Sequence, residues 1–370
     1  MKKLRKLLIV AGQLGTGGAE RELVTFLSAI RDRHLEIKVA SLSRGGAFEK
    51  DVREITGREV ESPRNRSRVL RLLWMRRIVQ SFNPDIIHTW NLFPLIYFAK
   101  GLLRRRCPVV GFMQQIPEQA MEEGLSPRLF RFLCRVPDGV VSNSRAALEA
   151  LDEMGLRAPH SAVVYNGVEP LFFSSPPCGE AVDRKTDRPV VIAVGRLIPR
   201  KRVDWMIQMA ADLRQNGTSF DLWIIGDGPE RARLAELSHA LGLMEAVTFW
   251  GSRPDVERIL PAADVFLHCA WAEGLPNSLQ EAMAAGLPVV VPRTAGIPEI
   301  VANGREGLLY GVQDYSECRE RLRTILSDSA LRSKLADSSK IRAETSFSPE
   351  RMAEQLLNFY LELLEHDATG

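Results

Sequence analysis

The sequence predicts an α/β chain built as two doubly wound domains, each a parallel sheet with helices on both faces. Three observations predict it. Short apolar runs rich in β-branched residues alternate with amphipathic helical stretches along the chain, the pattern of strand–helix–strand units. The length of 370 residues is long for one hydrophobic core and comfortable for two. The stretch Phe173 to Arg188, FSSPPCGEAVDRKTDR, is rich in Pro, Ser and charge, as linkers are. The expected boundaries are 1–172 for the first domain, 173–188 for the linker and 189–345 for the second domain.

In the first domain, Leu7 to Ala11 reads as a strand and GQLGTGGAERELVTFLSAI as a glycine loop opening a helix. Gly15, Gly17 and Gly18 would let backbone approach a ligand at the tip of that helix. Two familiar phosphate motifs fail there. A dinucleotide fingerprint starting at Gly15 needs glycine where Glu20 stands, and a P-loop starting at Gly12 needs lysine where Gly18 stands. A dinucleotide-dependent oxidoreductase is therefore disfavoured.

Strands are expected next at Ile37–Leu42, from Pro84 to His88, at Val109–Phe112, from Gly139 and from Val163 to Val168. Helices are expected at Val69–Phe82 and Leu92–Leu103. Ligands of such sheets bind at the carboxyl ends of the strands, where His88, the Gln114–Gln115 pair and Asn166 fall. In the second domain, Val190 to Val194 is an apolar strand running into Gly195-Arg196-Leu197 and Lys201. Leu222 to Ile225 runs into Gly226-Asp227-Gly228, Val247 to Trp250 into Gly251-Ser252-Arg253, and Val265 to His268 into EGLPNSLQEAMAAGLP.

That last stretch, Glu273 to Pro288, predicts a helix capped by Asn277 or Ser278 and stopped by Gly286 and Pro288. Leu279, Ala282, Met283 and Gly286 form a small buried seam, and Glu281 points the other way. Glu273 precedes the helix and can reach the electropositive space before its N-terminus, where a phosphate would be held. The chain's last helix, from the Ser348 cap and Pro349 (348–366), carries an apolar stripe of Met352, Leu356, Phe359, Tyr360, Leu363 and Leu364.

Charge is uneven. Through Phe172, 27 Lys and Arg oppose 18 Asp and Glu, whereas the whole chain is only +3. Arg64, Arg66, Arg68, Arg76, Arg77 and Arg104 to Arg106 are interleaved with Leu70, Leu73, Trp74, Phe98 and Leu102, which suits an anionic membrane surface. Nothing resembles a base-reading element, so nucleic acid is not an expected partner. Five scattered cysteines without C-x-x-C imply free thiols in a reducing compartment. The histidines lack metal-ligand spacing, and no metal or cofactor is expected. No apolar run is long enough to span a bilayer. A cytoplasmic protein, peripheral on the inner face of the cell membrane, is the expectation.

Glu273 and Glu281, seven residues apart and followed by AMAAGLPVV, resemble the E-x7-E signature of retaining glycosyltransferases of family 4. GRLIPRK, GDGPER and the turn at Gly304–Leu309 resemble further family motifs, and the likeness is strongest in the second half. It implies the GT-B fold: two Rossmann-like domains with a cleft between them and a C-terminal helix crossing back to the first. It implies transfer of a sugar from an NDP-sugar, UDP or GDP, to a saccharide or lipid-linked acceptor hydroxyl with retention of configuration, in cell-surface polysaccharide, lipopolysaccharide or glycolipid synthesis.

By the same resemblance, Arg196 and Lys201 would hold the donor diphosphate with the N–H groups near Asn277, Ser278 and Leu279. Glu281 would bind the ribose and Glu273 would orient the donor sugar. Gly15, Gly17 and Gly18 would lie beside the diphosphate, and Arg253 in the loop that reads the base. His88, Gln114 and Asn166 would line the acceptor or donor-sugar side. Family members often carry a histidine where this chain has Gln114 and Gln115, so only hydrogen bonding is carried to that position. Related alternatives are an NDP-sugar 2-epimerase of the same fold and a non-catalytic nucleotide-sugar-binding protein.

Overall fold

The structure is a computed structural model that describes residues 3–15, 17–64, 67–99, 107–122, 124–174, 184 and 186–369. Most of the expected linker, Asn65, Arg66, Arg104 to Arg106 and Cys178 lie outside the described residues. The chain forms two compact units, 1–167 with 349–370, and 168–348.

The first unit holds six strands: β1 (Lys6–Ala11), β2 (Glu36–Ser41), β3 (Ile86–Thr89), β4 (Val109–Met113), β5 (Gly139–Ser142) and β6 (His160–Val163). They pair in parallel in the order β2-β1-β3-β4-β5-β6. The inner strands are apolar on both faces because helices cover both, which is why they read as continuous apolar runs. Leu7, Ile9 and Val110 face one core with Phe26, Trp90 and Phe112, while Leu8, Val10 and Val109 face another with Met75, Ile78 and Phe98.

The last helix, Pro349–Thr369, closes the first of these cores. Met352, Leu356, Phe359, Tyr360, Leu363 and Leu364 are all buried there, so the end of the chain completes the unit that its beginning starts.

Three expectations are corrected. Of the helix expected at 92–103, the described residues form a 3₁₀ turn at Phe93–Phe98, and 100–103 lie outside the described residues. The strand expected from Val163 to Val168 lies earlier, at His160–Val163. The helix at Asn277–Ala284 follows Pro276 and has no side-chain cap, so neither Asn277 nor Ser278 caps it.

The second unit repeats the plan with β7 (Val190–Val194), β8 (Asp221–Ile225), β9 (Val247–Gly251), β10 (Val265–Leu267), β11 (Val289–Pro292) and β12 (Gly307–Tyr310), again all parallel, in the order β12-β11-β10-β7-β8-β9. In the Asn277–Ala284 helix, Leu279, Ala282 and Met283 are fully buried, and the helix packs on Ser329–Ser346. It ends in a Schellman motif: Leu287 N donates to Ala282 O, Gly286 N to Met283 O, and Gly286 takes φ +80°.

Candidate active site

The carboxyl ends of β7 and β10, neighbours in the second sheet, bring together residues distant in sequence. After β7 the chain turns through Gly195-Arg196-Leu197 into a 3₁₀ turn, Pro199–Lys201. Backbone bonds dock this turn: Leu197 N donates to Asp227 O (2.8 Å) and Glu230 N to Leu197 O (3.1 Å). Gly226 and Gly228, both with positive φ, pass so close to the Gly195 and Leu197 carbonyls that any Cβ would collide. The glycines of GDGPE are therefore explained by this docking.

Lys201 projects across bare backbone at Gly195, where an added Cβ would lie 3.5 Å from Nζ. The Lys201 ammonium meets Glu273 Oε1 at 2.5 Å, with both side chains largely buried. On the other side, His268 Nε2 lies 3.0 Å from Glu273 Oε2. That contact is close but off the line of a good hydrogen bond, since neither atom completes one. Burial would raise the Glu273 pKa, but the Lys201 charge and then His268 hold it well below the usual carboxylate range. Burial keeps the His268 imidazole below its ordinary value despite Glu273. Its backbone is pinned, His268 N donating to Val290 O and Tyr310 Oη to His268 O. The resulting site has an ionised Glu273, a neutral His268 and a lysine whose three donors are only partly used. A small recess beside it is lined by Gly195, Leu197, Lys201, Met206, Ile225 and His268.

Two features here escaped the sequence reading. His268 was seen only as the end of a strand; a histidine five residues before Glu273 was the available signal. Arg202, next to Lys201, has φ +50°, and its guanidinium lies 4.3 Å from the Trp205 ring and 5.1 Å from that of Trp271. This double cation–π contact joins the turn carrying Lys201 to the loop carrying Glu273.

The other expected residues are distributed as follows. Arg196 is exposed, next to Gly195; Asn277, Ser278 and Glu281 are half-buried on the helix, and Leu279 is in its core face. Arg253 makes a bidentate pair with Asp255, 2.8 and 2.6 Å. In the first unit, Gly15 lies in the loop after β1, Gly17 is the N-cap of the Gly18–Ala29 helix and Gly18 opens that helix. Gly17 leaves room for the Glu20 carboxylate, which a Cβ would strike. Asn166 is buried beyond β6. Gln114 follows β4, and its Nε2 donates to Glu22 Oε2 at 2.5 Å.

His88 is corrected. It is fully buried, ringed by Trp90, Phe112 and Tyr360, with Nδ1 2.5 Å from Tyr360 Oη. Burial lowers its pKa to about 3. Opposite Ile9 in the register, its side chain packs in the core under the last helix, and its buried Nε2 has no hydrogen-bond partner among the described residues.

Family models match both parts of the chain. Residues 16–170 match the model described as Glycosyltransferase Family 4, and 180–342 the model described as Glycosyl transferases group 1. The chain is 28% identical to the lipopolysaccharide core biosynthesis glycosyltransferase LpsE of Rhizobium meliloti, over 94% of this chain and 96% of LpsE. It is 30% identical to a GDP-mannose-dependent alpha-mannosyltransferase of Mycobacterium tuberculosis, over 65% of this chain and 64% of that protein. Among solved structures, Anabaena Alr3699/HepE in complex with UDP superposes with a TM-score of 0.82 and 26% identity, covering 96% of this chain and 100% of that one.

Proposed function

Since the chain belongs to the group 1 and family 4 glycosyltransferases and has their GT-B fold, we propose that it moves a sugar from a UDP- or GDP-sugar to an acceptor hydroxyl with retention of configuration. The observation that carries this reading is the Lys201–Glu273 contact at the end of β7 and β10. It joins an ammonium that can meet phosphate oxygens to a carboxylate kept ionised for sugar hydroxyls.

The demanding step is cleavage of the bond between the anomeric carbon and the diphosphate. Negative charge gathers on the departing diphosphate. Lys201, Arg196 and the backbone N–H groups at the start of the Asn277–Ala284 helix would stabilise that charge. Arg offers a planar fork and Lys a point charge, so the two divide the work of orientation and neutralisation. Glu281, half-exposed on the same helix, would take the ribose hydroxyls. Residues 189–345 would thus be the donor side and 1–172 the acceptor side. A phosphate oxygen of the leaving group would accept the acceptor's proton on the same face, which leaves no need for a separate base.

The relatives favour an acceptor in envelope glycolipid or polysaccharide: LpsE acts in lipopolysaccharide core biosynthesis, and HepE was solved with UDP. No helix among the described residues is long and apolar enough to cross a membrane. We read the Arg68–Phe82 helix, with Val69, Leu70 and Leu73 exposed beside Arg76 and Arg77, as a face for an anionic bilayer.

Screening UDP- and GDP-sugars against a panel of saccharide and lipid-linked acceptors, with product mass spectrometry, tests the reaction, and NMR of the new anomeric centre tests retention. An inverted product would overturn the stereochemical part. Failure to release nucleotide from any donor would overturn the whole reading.

A further inference from the structure

One carboxylate of the second unit stands between two basic side chains. Glu273 Oε1 meets the Lys201 ammonium, and Oε2 lies 3.0 Å from His268 Nε2. His268 is 3% exposed and Glu273 6%. The row is electrically balanced only while the imidazole is neutral, because Lys201 already matches the single carboxylate. A second buried cation would go uncompensated. The charges that reach the ring are those of Glu273, which favours its protonation, and Lys201, which opposes it. The other titratable groups packed about His268 are Tyr310, which donates to its carbonyl and which burial keeps protonated, and the free buried thiols of Cys269, next in the chain, and Cys318, 4.0 Å from that sulfur. The Phe266 ring stacks beside the imidazole. Among the described side chains lining the recess, only Lys201 and His268 titrate.

We propose that His268 takes up a proton from solvent when an anion settles on Lys201, and so becomes the cationic partner that keeps Glu273 in place. This rests on the glycosyl-transfer reading above, in which the anion is the diphosphate of a nucleotide-sugar. His268 is then a positioning residue that acts through Glu273. A diphosphate on Lys201 offsets the ammonium's field and adds negative charge of its own. What opposed a proton on His268 is removed, while Glu273 still favours one. In the free protein burial holds the imidazole below its ordinary value, so the proton arrives with the anion and does not precede it. The protonated ring has an N–H on both nitrogens. Nε2 therefore donates to Glu273 whichever tautomer the free protein holds. Without that donor, Glu273 would stand close to a diphosphate of like charge with its lysine shared.

Calorimetry of the wild type with UDP-glucose and with GDP-mannose, whose diphosphates do not titrate near neutrality, in buffers of different ionisation heat, counts the protons. Binding should take up close to one proton per site, and affinity should rise by up to about tenfold per unit as pH falls between the bound and free imidazole values. His268→Asn should bind without proton uptake and with a flatter pH profile. Binding without uptake in the wild type, or uptake that persists in His268→Asn, would overturn the proposal. A second measurement needs no ligand. Lys201→Gln removes the lysine charge as the anion does, so the His268 imidazole should titrate at higher pH than in the wild type, followed by nitrogen NMR with the signal assigned against His268→Asn. Glu273→Gln removes the attraction instead and should keep the ring neutral to lower pH. Lys201→Met carries the same test if the glutamine variant does not fold. A His268 titration that the loss of the lysine charge leaves unmoved would overturn the coupling. If neither nucleotide-sugar binds while Lys201→Gln raises the His268 titration, the transfer reading fails and the coupling of the three groups stands.

Discussion

Lys201 Nζ and Glu273 Oε1 lie 2.5 Å apart, although they belong to different loops and are joined only because β7 and β10 are neighbours. The pair is asymmetric in its consequences. Each ion is largely buried, so removing one leaves the other without compensation. Glu273 also touches His268, whereas Lys201 lines the recess beside Gly195. In our reading the lysine is the member that meets the leaving group, and the glutamate fixes where it stands.

Lys201→Ala should therefore lower kcat by about 100-fold, the effect of losing one preorganised donor to developing charge, while nucleotide affinity changes less. The same variant strands a buried carboxylate and should melt at a lower temperature. Assays belong well below that melting point. Steady-state kinetics paired with calorimetry for the nucleotide separates the two effects. An intact kcat in a folded Lys201→Ala would remove Lys201 from the leaving-group role.

Glu281 behaves differently. It is half-exposed on the Asn277–Ala284 helix, so its loss opens no cavity. Glu281→Ala should weaken nucleotide-sugar binding roughly tenfold, as expected for lost hydrogen bonds from hydroxyls to a charged acceptor, and should leave the thermal midpoint unchanged. Calorimetry with the nucleoside diphosphate reads this directly. Equal affinity in wild type and variant would end the ribose assignment.

The two parallel sheets were legible because strands buried on both faces need uninterrupted apolar sequence, and the runs at Leu7–Ala11 and Val190–Val194 have it. At Leu92–Leu103 apolar content suggests an α-helix, whereas the described part of that stretch coils as a 3₁₀ turn at Phe93–Phe98. Lys201 and Glu273 could be singled out from their motifs, but not their contact, which exists only through strand order. His88 and Glu22 show the same limit from opposite sides. His88, expected at the ligand-binding end of a strand, is enclosed in the core; Glu22, which no motif singles out, is buried against Gln114. Tertiary neighbours decide both, and spacing along the chain does not encode them.

Those two buried groups give opposed pH dependences. The folded-state pKa of His88 is depressed from 6.5 to about 3, so below pH 6.5 the unfolded chain binds a proton that the native state refuses, and stability falls as pH falls. Glu22 is raised well above 4.5, so its contribution is complete below 4.5 and is lost as pH rises. Above pH 4.5 and below 6.5 the two contributions therefore oppose each other. Glu22→Gln should gain stability with rising pH there, and His88→Asn should lose it, so the two variants should show slopes of opposite sign, measured by denaturant unfolding at several pH values. Parallel slopes would mean that one of these groups is solvated.

The Arg68–Phe82 helix poses the remaining question, because its exposed face is neither polar nor apolar. Val69 is 67% exposed and Leu73 53%, a poor arrangement in water. Arg68, Arg71, Arg76 and Arg77 share the helix and it contains no acidic residue. On an anionic bilayer the apolar side chains leave water, and each arginine near the surface contributes about 1 kcal/mol. Vesicles containing anionic lipid should therefore sediment the protein at low salt and release it as salt rises past the screening range. Neutral vesicles should not retain it. Leu73→Glu with Leu70→Glu should abolish sedimentation without lowering thermal stability, since neither side chain is buried. Charge alone would let Arg76→Ala with Arg77→Ala abolish binding while the leucine variants still bind; apolar insertion requires both pairs to matter. No sedimentation at any lipid composition would make these arginines ordinary solvated side chains.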